Sequence, residues 1–141
     1  MKKIFLILLA LSSILFAELS KKGGIVTDNI TKLQWQDDAV GEKLAWESAI
    51  AQCEALDLGG YTDWRLPNIK ELSSIIDDTR HTPAVTLVFQ NTAVGSYDEY
   101  WSSTTYAKYE REAFYVYFKK GNVGETYKSN DKYVRCVRAG E

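Results

Sequence analysis

One histidine, His81, and two cysteines, Cys53 and Cys136, set the chemical limits of this chain of 141 residues. A Ser-His-Asp set would have to be built on His81 alone, and nothing in the spacing picks out its partners. No His-Glu-x-x-His zinc motif and no glycine-rich phosphate loop occurs. Zinc favours four clustered Cys or His ligands, and the chain holds only these three. The adjacent carboxylates Asp37-Asp38 and Asp77-Asp78 would serve acid–base chemistry only inside a cleft. As neighbours at helix or loop ends they are expected to be solvated. The residues therefore point away from an enzyme and toward binding.

The least generic stretch is "GGYTDWRLPNIKEL", residues 59–72. Trp64 and Leu66 alternate with Asp63 and Arg65, as on an extended segment with one face buried. Trp64 is large and apolar enough for a core corner. The Arg65 fork suits loop carbonyls or a carboxylate, and Asp63 suits nearby backbone N–H groups. Pro67 keeps Leu66 extended. Asn68 with Glu71 three residues on is a capping-box spacing, followed by Leu72, Ile75 and Ile76 as the inner face of a helix. Every residue has a structural job, so a corner that holds the fold is favoured over a ligand site.

The start, "MKKIFLILLALSSILFA", has a positive pair (Lys2, Lys3), an apolar run and a small residue, Ala17, suited to the position before a cut. The run is shorter than the ~20 residues of a comfortable membrane span. No cysteine follows it to carry a lipid. Residues 1–17 are expected to be a secretory signal peptide, with an uncleaved anchor as the other reading. Export to the periplasm, the cell surface or the medium follows, without stable membrane insertion after cleavage. Loss of Lys2 and Lys3 leaves 15 cationic against 19 acidic residues, a net charge of −4. Residues 119–138 run the other way: Lys119, Lys120, Lys128, Lys132, Arg135 and Arg138 face only Glu125 and Asp131, a net of +4. A basic end on an acidic domain could draw a polyanion. A solvated strand face is the bland alternative. No nucleic-acid partner is expected.

Residues 18–24 read as a short tail. "IVTDNITKLQWQ" reads as a hairpin. Trp46, Ala49, Ile50, Cys53 and Leu56 fall on one helical face, closed by Gly59-Gly60 as a C-cap. Residues 79–98 carry few periodic signals and are expected to form a long, exposed loop. "YWSSTTYA", "EAFYVYF", "NVGETYK" and "KYVRCVR" are β-branched and aromatic, with Lys120-Gly121-Asn122 and Ser129-Asn130-Asp131 as turns. In the last of these Val134 and Cys136 share a face, so Cys136 can meet Cys53 on the helix. Two cysteines in an exported chain pair more often than they stay free. The expected architecture is one α+β domain: two helices packed on one curled antiparallel sheet, stapled from a helix to the last strand.

That order is similar to a C-type-lectin-like domain. Five words narrow it: "LQWQDD", W-x-x-A-x-x-x-C over 46–53, "GGYTDWRLPNIKEL", "YWSSTTYA" and "YVRCVRAG". Together, over residues 25–140, they resemble the Lcl C-terminal domain family, long labelled a domain of unknown function. The resemblance implies a fold related to C-type lectins and formylglycine-generating enzymes. It marks Trp46, Trp64, Arg65, Leu66, Pro67, Glu71, Trp101 and Arg135 as family residues of structural type. The founding adhesin is associated with sulfated glycans and carries a collagen-like stalk; no Gly-x-y repeat is present here. The cysteine chemistry of formylglycine-generating enzymes is not carried over, because the staple accounts for both cysteines.

Neither the Glu-Pro-Asn or Gln-Pro-Asp triplet nor the Trp-Asn-Asp triplet of calcium-dependent lectins occurs. Asp77, Asp78, Asn91 and Asp98, in or near the 79–98 loop, could supply some of the six to eight oxygen ligands of calcium, though in no recognisable spacing; no other cofactor is expected. The expected function is non-catalytic binding of an anionic or sulfated polysaccharide, or another surface molecule, through Lys119, Lys120, Lys128 and Lys132 with Tyr106 and Tyr109. Trp101 is assigned to the sheet core. The rival is an accessory protein that engages a protein partner through residues 79–98, and a modifying enzyme is the third reading.

Overall fold

The computed structural model describes residues 18–140; the expected signal segment lies outside them. Gly23 and Gly24 both take positive φ, 59° and 78°, the conformation that lets two residues join hairpin strands. They link β1 (Leu19–Lys22) to β2 (Ile25–Asp28), with Lys22 opposite Ile25. Residues 19–22 are thus a strand, not a tail. Gly24 leaves no room for a side chain, since a Cβ there would stand 2.8 Å from the Cβ of Asp38. β3 (Leu33–Gln36) makes the expected hairpin with β2. Asp28 secures that turn by accepting from the N–H groups of Ile30 (2.8 Å) and Thr31 (3.2 Å).

α1 (Trp46–Glu54) buries Ala49 and Cys53, as the spacing predicts. It stops at Ala55, earlier than expected. Gly59-Gly60 does not cap it. The pair turns the chain between Leu58 and Tyr61, which bond each other's backbone at 3.2 and 3.1 Å. α2 (Ile69–Ser74) begins with the predicted capping box: Asn68 accepts from the Glu71 N–H at 2.8 Å, and Glu71 from the Asn68 N–H at 2.9 Å. Leu72 and Ile75 are buried on its inner side.

The last third contains β4 (Tyr100–Thr105), β5 (Glu112–Tyr117), β6 (Asn122–Tyr127) and β7 (Val137–Ala139). The result is α+β, but with two antiparallel sheets where one was expected: β1-β2-β3-β7 and β4-β5-β6. The reason lies in residues 132–137, which pass between two cores. Tyr133 and Val137 pack with Val26, Trp35, Leu72 and Phe118. Val134 and Cys136 pack with Ala49, Trp64, Leu66 and Trp101. With both faces buried the segment is a shared wall, and it bonds Glu99 and Trp101 on one side and Arg65 on the other. The Cys53–Cys136 disulfide joins α1 to this wall, with Cα atoms 5.4 Å apart across a separation of 83 residues. Closing so long a loop is worth about 4–5 kcal/mol in the chain-entropy model.

Residues 79–98 contain no helix or strand, yet they are not an exposed loop. Ala84, Val85, Phe89 and Ala93 are core residues. The expected solvated carboxylate, Asp37, is what holds them. Asp37 is fully buried, so its charge demands donors. It accepts from the N–H groups of Gln90 (2.8 Å) and Asn91 (2.9 Å), from Lys21 Nζ (2.7 Å) and from Arg135 Nη2 (3.2 Å). Arg135 also donates to the Asn91 carbonyl and to Thr92 Oγ1, and its guanidinium lies 4.8 Å from the Phe89 ring centre. Asp37→Ala would strand a buried guanidinium and free two loop N–H groups. The expected loss is about 3–5 kcal/mol in urea denaturation, and a loss under about 1 kcal/mol would show that the loop is held by other means.

Candidate functional site

The basic end predicted from composition does not form one surface. Arg135 belongs to Asp37. Arg138 Nε donates to Asp63 Oδ1 at 2.6 Å, and its guanidinium lies 3.7 Å from the centre of the Tyr61 ring. Lys132 is 7% exposed, pairs with Glu99, and holds its ammonium 4.4 Å from the Tyr115 ring centre. It is therefore not an open ligand contact. Lys119 and Lys120 stand at the β5–β6 turn, while Lys128 follows the far end of β6. A six-residue strand separates them by roughly 17–20 Å. Lys128 donates to Thr105 Oγ1 at 2.9 Å and lies 4.0 Å over Trp46. Trp46 and Trp101 are anchored in turn, their indole N–H groups donating to the carbonyls of Ser102 (2.9 Å) and Leu44 (2.8 Å).

What the fold does gather is a groove at the β4–β5 turn. Tyr106 accepts a main-chain bond from Tyr109 (3.0 Å) and donates one to Glu112 (2.8 Å), which closes the turn tightly. Lys128 N–H donates to the Arg111 carbonyl at 2.8 Å, fastening the turn to the end of β6. Tyr106 packs edge-on against Phe114 and Tyr109, with centroids 5.3 and 5.8 Å away. Tyr109 and Tyr127 remain 53% and 58% exposed. They flank a depression of about 480 Å³ lined also by Lys108, Glu110, Arg111 and Glu112. Lys108 Nζ hovers 5.2 Å over the Tyr109 ring. Two cations, Lys108 and Arg111, meet two carboxylates, Glu110 and Glu112, there. The structure thus brings Tyr106 and Tyr109 of the predicted set together at this turn, holds the Lys128 ammonium away on Trp46 and Thr105, and leaves Lys119, Lys120 and Lys132 elsewhere. Lys108, Arg111 and Tyr127 were missed. Their signal was the "KYER" run beside an alternating strand, outside the 119–138 window in which charge was counted.

The 59–72 stretch is a corner. Trp64 is 2% exposed, and its indole N–H donates to the carbonyls of Tyr61 (3.1 Å) and Leu58 (3.3 Å). Leu66 and Pro67 are buried. Arg65 grips Glu71 with both fork nitrogens at 2.7 Å. Asp63 takes the Arg138 guanidinium in addition to a backbone hydrogen bond. The possible calcium residues are engaged separately: Asp77 with Thr79, Asn91 through its amide with the Asp37 carbonyl, Asp98 with Lys43 and the Gly95 N–H. In the 79–98 segment Leu87 stands 75% exposed.

These features define a disulfide-stapled α+β domain whose most specific sequence words build its interior and whose surface offers an aromatic groove. The chain belongs to the Lcl C-terminal domain family, whose model matches residues 24–138. Comparison with curated proteins gives no match.

Trp64→Ala should cost ~3–5 kcal/mol, and an unchanged melting temperature would refute the corner. Arg65 holds the Glu71 carboxyl below its usual range. Between that lowered value and the ordinary one, the unfolded chain binds the proton and the folded chain does not. This stabilisation is therefore complete above the unfolded value and is lost as pH falls through the folded one. Glu71→Gln should lose stability at neutral pH and show a smaller further drop below about pH 5 than the wild type. Parallel acid-denaturation curves for the two proteins would contradict this.

Proposed function

We propose that this chain is an exported, non-catalytic binding domain of C-type-lectin-like fold. Its ligand is an anionic or sulfated glycan, seated in the groove between Tyr109 and Tyr127. One observation carries the reading: two exposed tyrosines line one groove together with Lys108 and Arg111. Aromatic rings stack on the C–H faces of sugars, and guanidinium and ammonium groups pair with sulfate or carboxylate. The groove stands on main-chain hydrogen bonds at both ends, so binding would order little that is not already ordered. Engagement of calcium is not part of the proposal, given the separate contacts of Asp77, Asn91 and Asp98. A protein partner docking on the 79–98 segment would have the exposed side chains of Leu87 and Tyr97 to engage.

The test is capture of the oxidised protein on a panel of neutral, acidic and sulfated glycans, at low and high salt, with and without a chelator. Sulfated chains should be retained at low salt, released as screening increases, and indifferent to the chelator. Replacing Lys108 and Arg111 together by Ala should weaken capture by at least about tenfold, as expected for loss of charge-assisted contacts. Capture that ignores both salt and this double replacement would sink the proposal.

A further inference from the structure

A second groove lies on the opposite face of the same strands. Alternation along β5 and β6 sends Glu112 and Tyr127 to one face and Tyr115 and Thr126 to the other. The second groove, of about 470 Å³, is lined by Lys43, Tyr97, Glu99, Tyr115, Thr126, Asn130, Asp131 and Lys132. Its floor is built. The Tyr115 ring lies flat across β6 because position 124 is glycine: a Cβ there would come within 2.5 Å of the Tyr115 hydroxyl. The Lys132 ammonium sits on that ring and pairs with Glu99, and the Lys132 main chain is bonded both ways to Leu44 at 2.8 and 2.9 Å. On the far side, Asn130 reaches Thr126 Oγ1 at 2.8 Å.

The rim holds an outlier. Tyr97 has φ of +64° and is 80% exposed. A bulky residue in the left-handed region is strained, and Gly or Asn would adopt that conformation more easily. The turn itself explains the backbone. It lets Asp98 accept from the Gly95 N–H (2.7 Å) and pair with Lys43 (2.9 Å). It does not explain the ring, which recovers little of that strain by burial. An aromatic ring held outward over a polar groove is suited to a ligand.

The charges select the class of ligand. Lys43 is paired with Asp98 and Lys132 with Glu99, leaving Asp131 as the excess. A sulfate or phosphate would meet Glu99 and Asp131, and an organic cation would meet two ammonium groups. A neutral polyol with one apolar face meets neither penalty. We infer that the Tyr97–Tyr115 groove binds a neutral sugar ring, stacked on Tyr97, with its hydroxyls directed to Asn130, Asp131 and Lys43. This site is independent of the anionic groove in position and in chemistry.

The experiment titrates the oxidised protein with methyl glycosides of glucose, galactose, mannose and N-acetylglucosamine, followed by amide chemical shifts. At least one should bind at or below about 10 mM, with shifts near Tyr97 and Tyr115 and the same affinity at low and high salt. Tyr97→Asn keeps a residue tolerant of positive φ. It should hold or raise the melting temperature while weakening sugar binding by about tenfold or more. The Lys108 and Arg111 double replacement should leave this binding unchanged, even if capture of sulfated glycans fails altogether. No binding by any of the four glycosides would overturn the inference. So would wild-type affinity in Tyr97→Asn, or a fall in its melting temperature, which would make the ring a fold element.

Discussion

The buried pairing of Asp37 with Arg135 is the constraint on which the rest of this structure depends. Both side chains are removed from water, one after β3 and the other just before β7. Neither charge is tolerable alone in that setting. Together they recruit the backbone of Gln90 and Asn91, the hydroxyl of Thr92 and the ammonium of Lys21. One ion pair thereby fixes a strand hairpin, a long irregular segment and the wall between the two cores. Burial pushes the Arg135 guanidinium down from its usual range, opposed by its neighbours Tyr100 and Asp37. With a group of such high affinity for protons the charge persists, and the carboxylate must stay to meet it.

That arrangement also explains why the two sheets separate. A strand buried on both faces cannot end a half-exposed sheet, so the chain leaves β4-β5-β6 and closes beside β3. Arg135 sits between Val134 and Cys136 in sequence but faces the opposite core, among Phe89, Tyr100 and Phe118. The same alternation that buries the disulfide on one side buries the guanidinium on the other.

Local signals were legible in the sequence and long-range ones were not. The capping box at Asn68 and Glu71, the buried positions of α1 and the meeting of Cys53 with Cys136 follow from spacing, and all are present. The corner around Trp64 was legible for the same reason: each residue's role is played within a few positions of it. Asp37 was misread as solvated because its partners lie 16, 53, 54 and 98 residues away. The strand before Gly23-Gly24 was overlooked because "LSKK" is polar, though the glycine pair is itself a hairpin signal. Net charge in a window misled most. It counted Lys132, Arg135 and Arg138 as surface, whereas Glu99, Asp37 and Asp63 hold them. It also left out Lys108 and Arg111, which the turn turns outward.

The disulfide has a mechanical consequence. Tension applied between the two ends of the folded chain is carried across the Cys53–Cys136 bond, which bypasses the residues between. Only β1, β2, β3, part of α1 and β7 can be drawn out along the line of force. The three-stranded sheet, the second helix and the whole Tyr109–Tyr127 groove hang in a covalent loop that bears no load. A surface gripped by a ligand in that loop would keep its shape while the strands that tether it are peeled away.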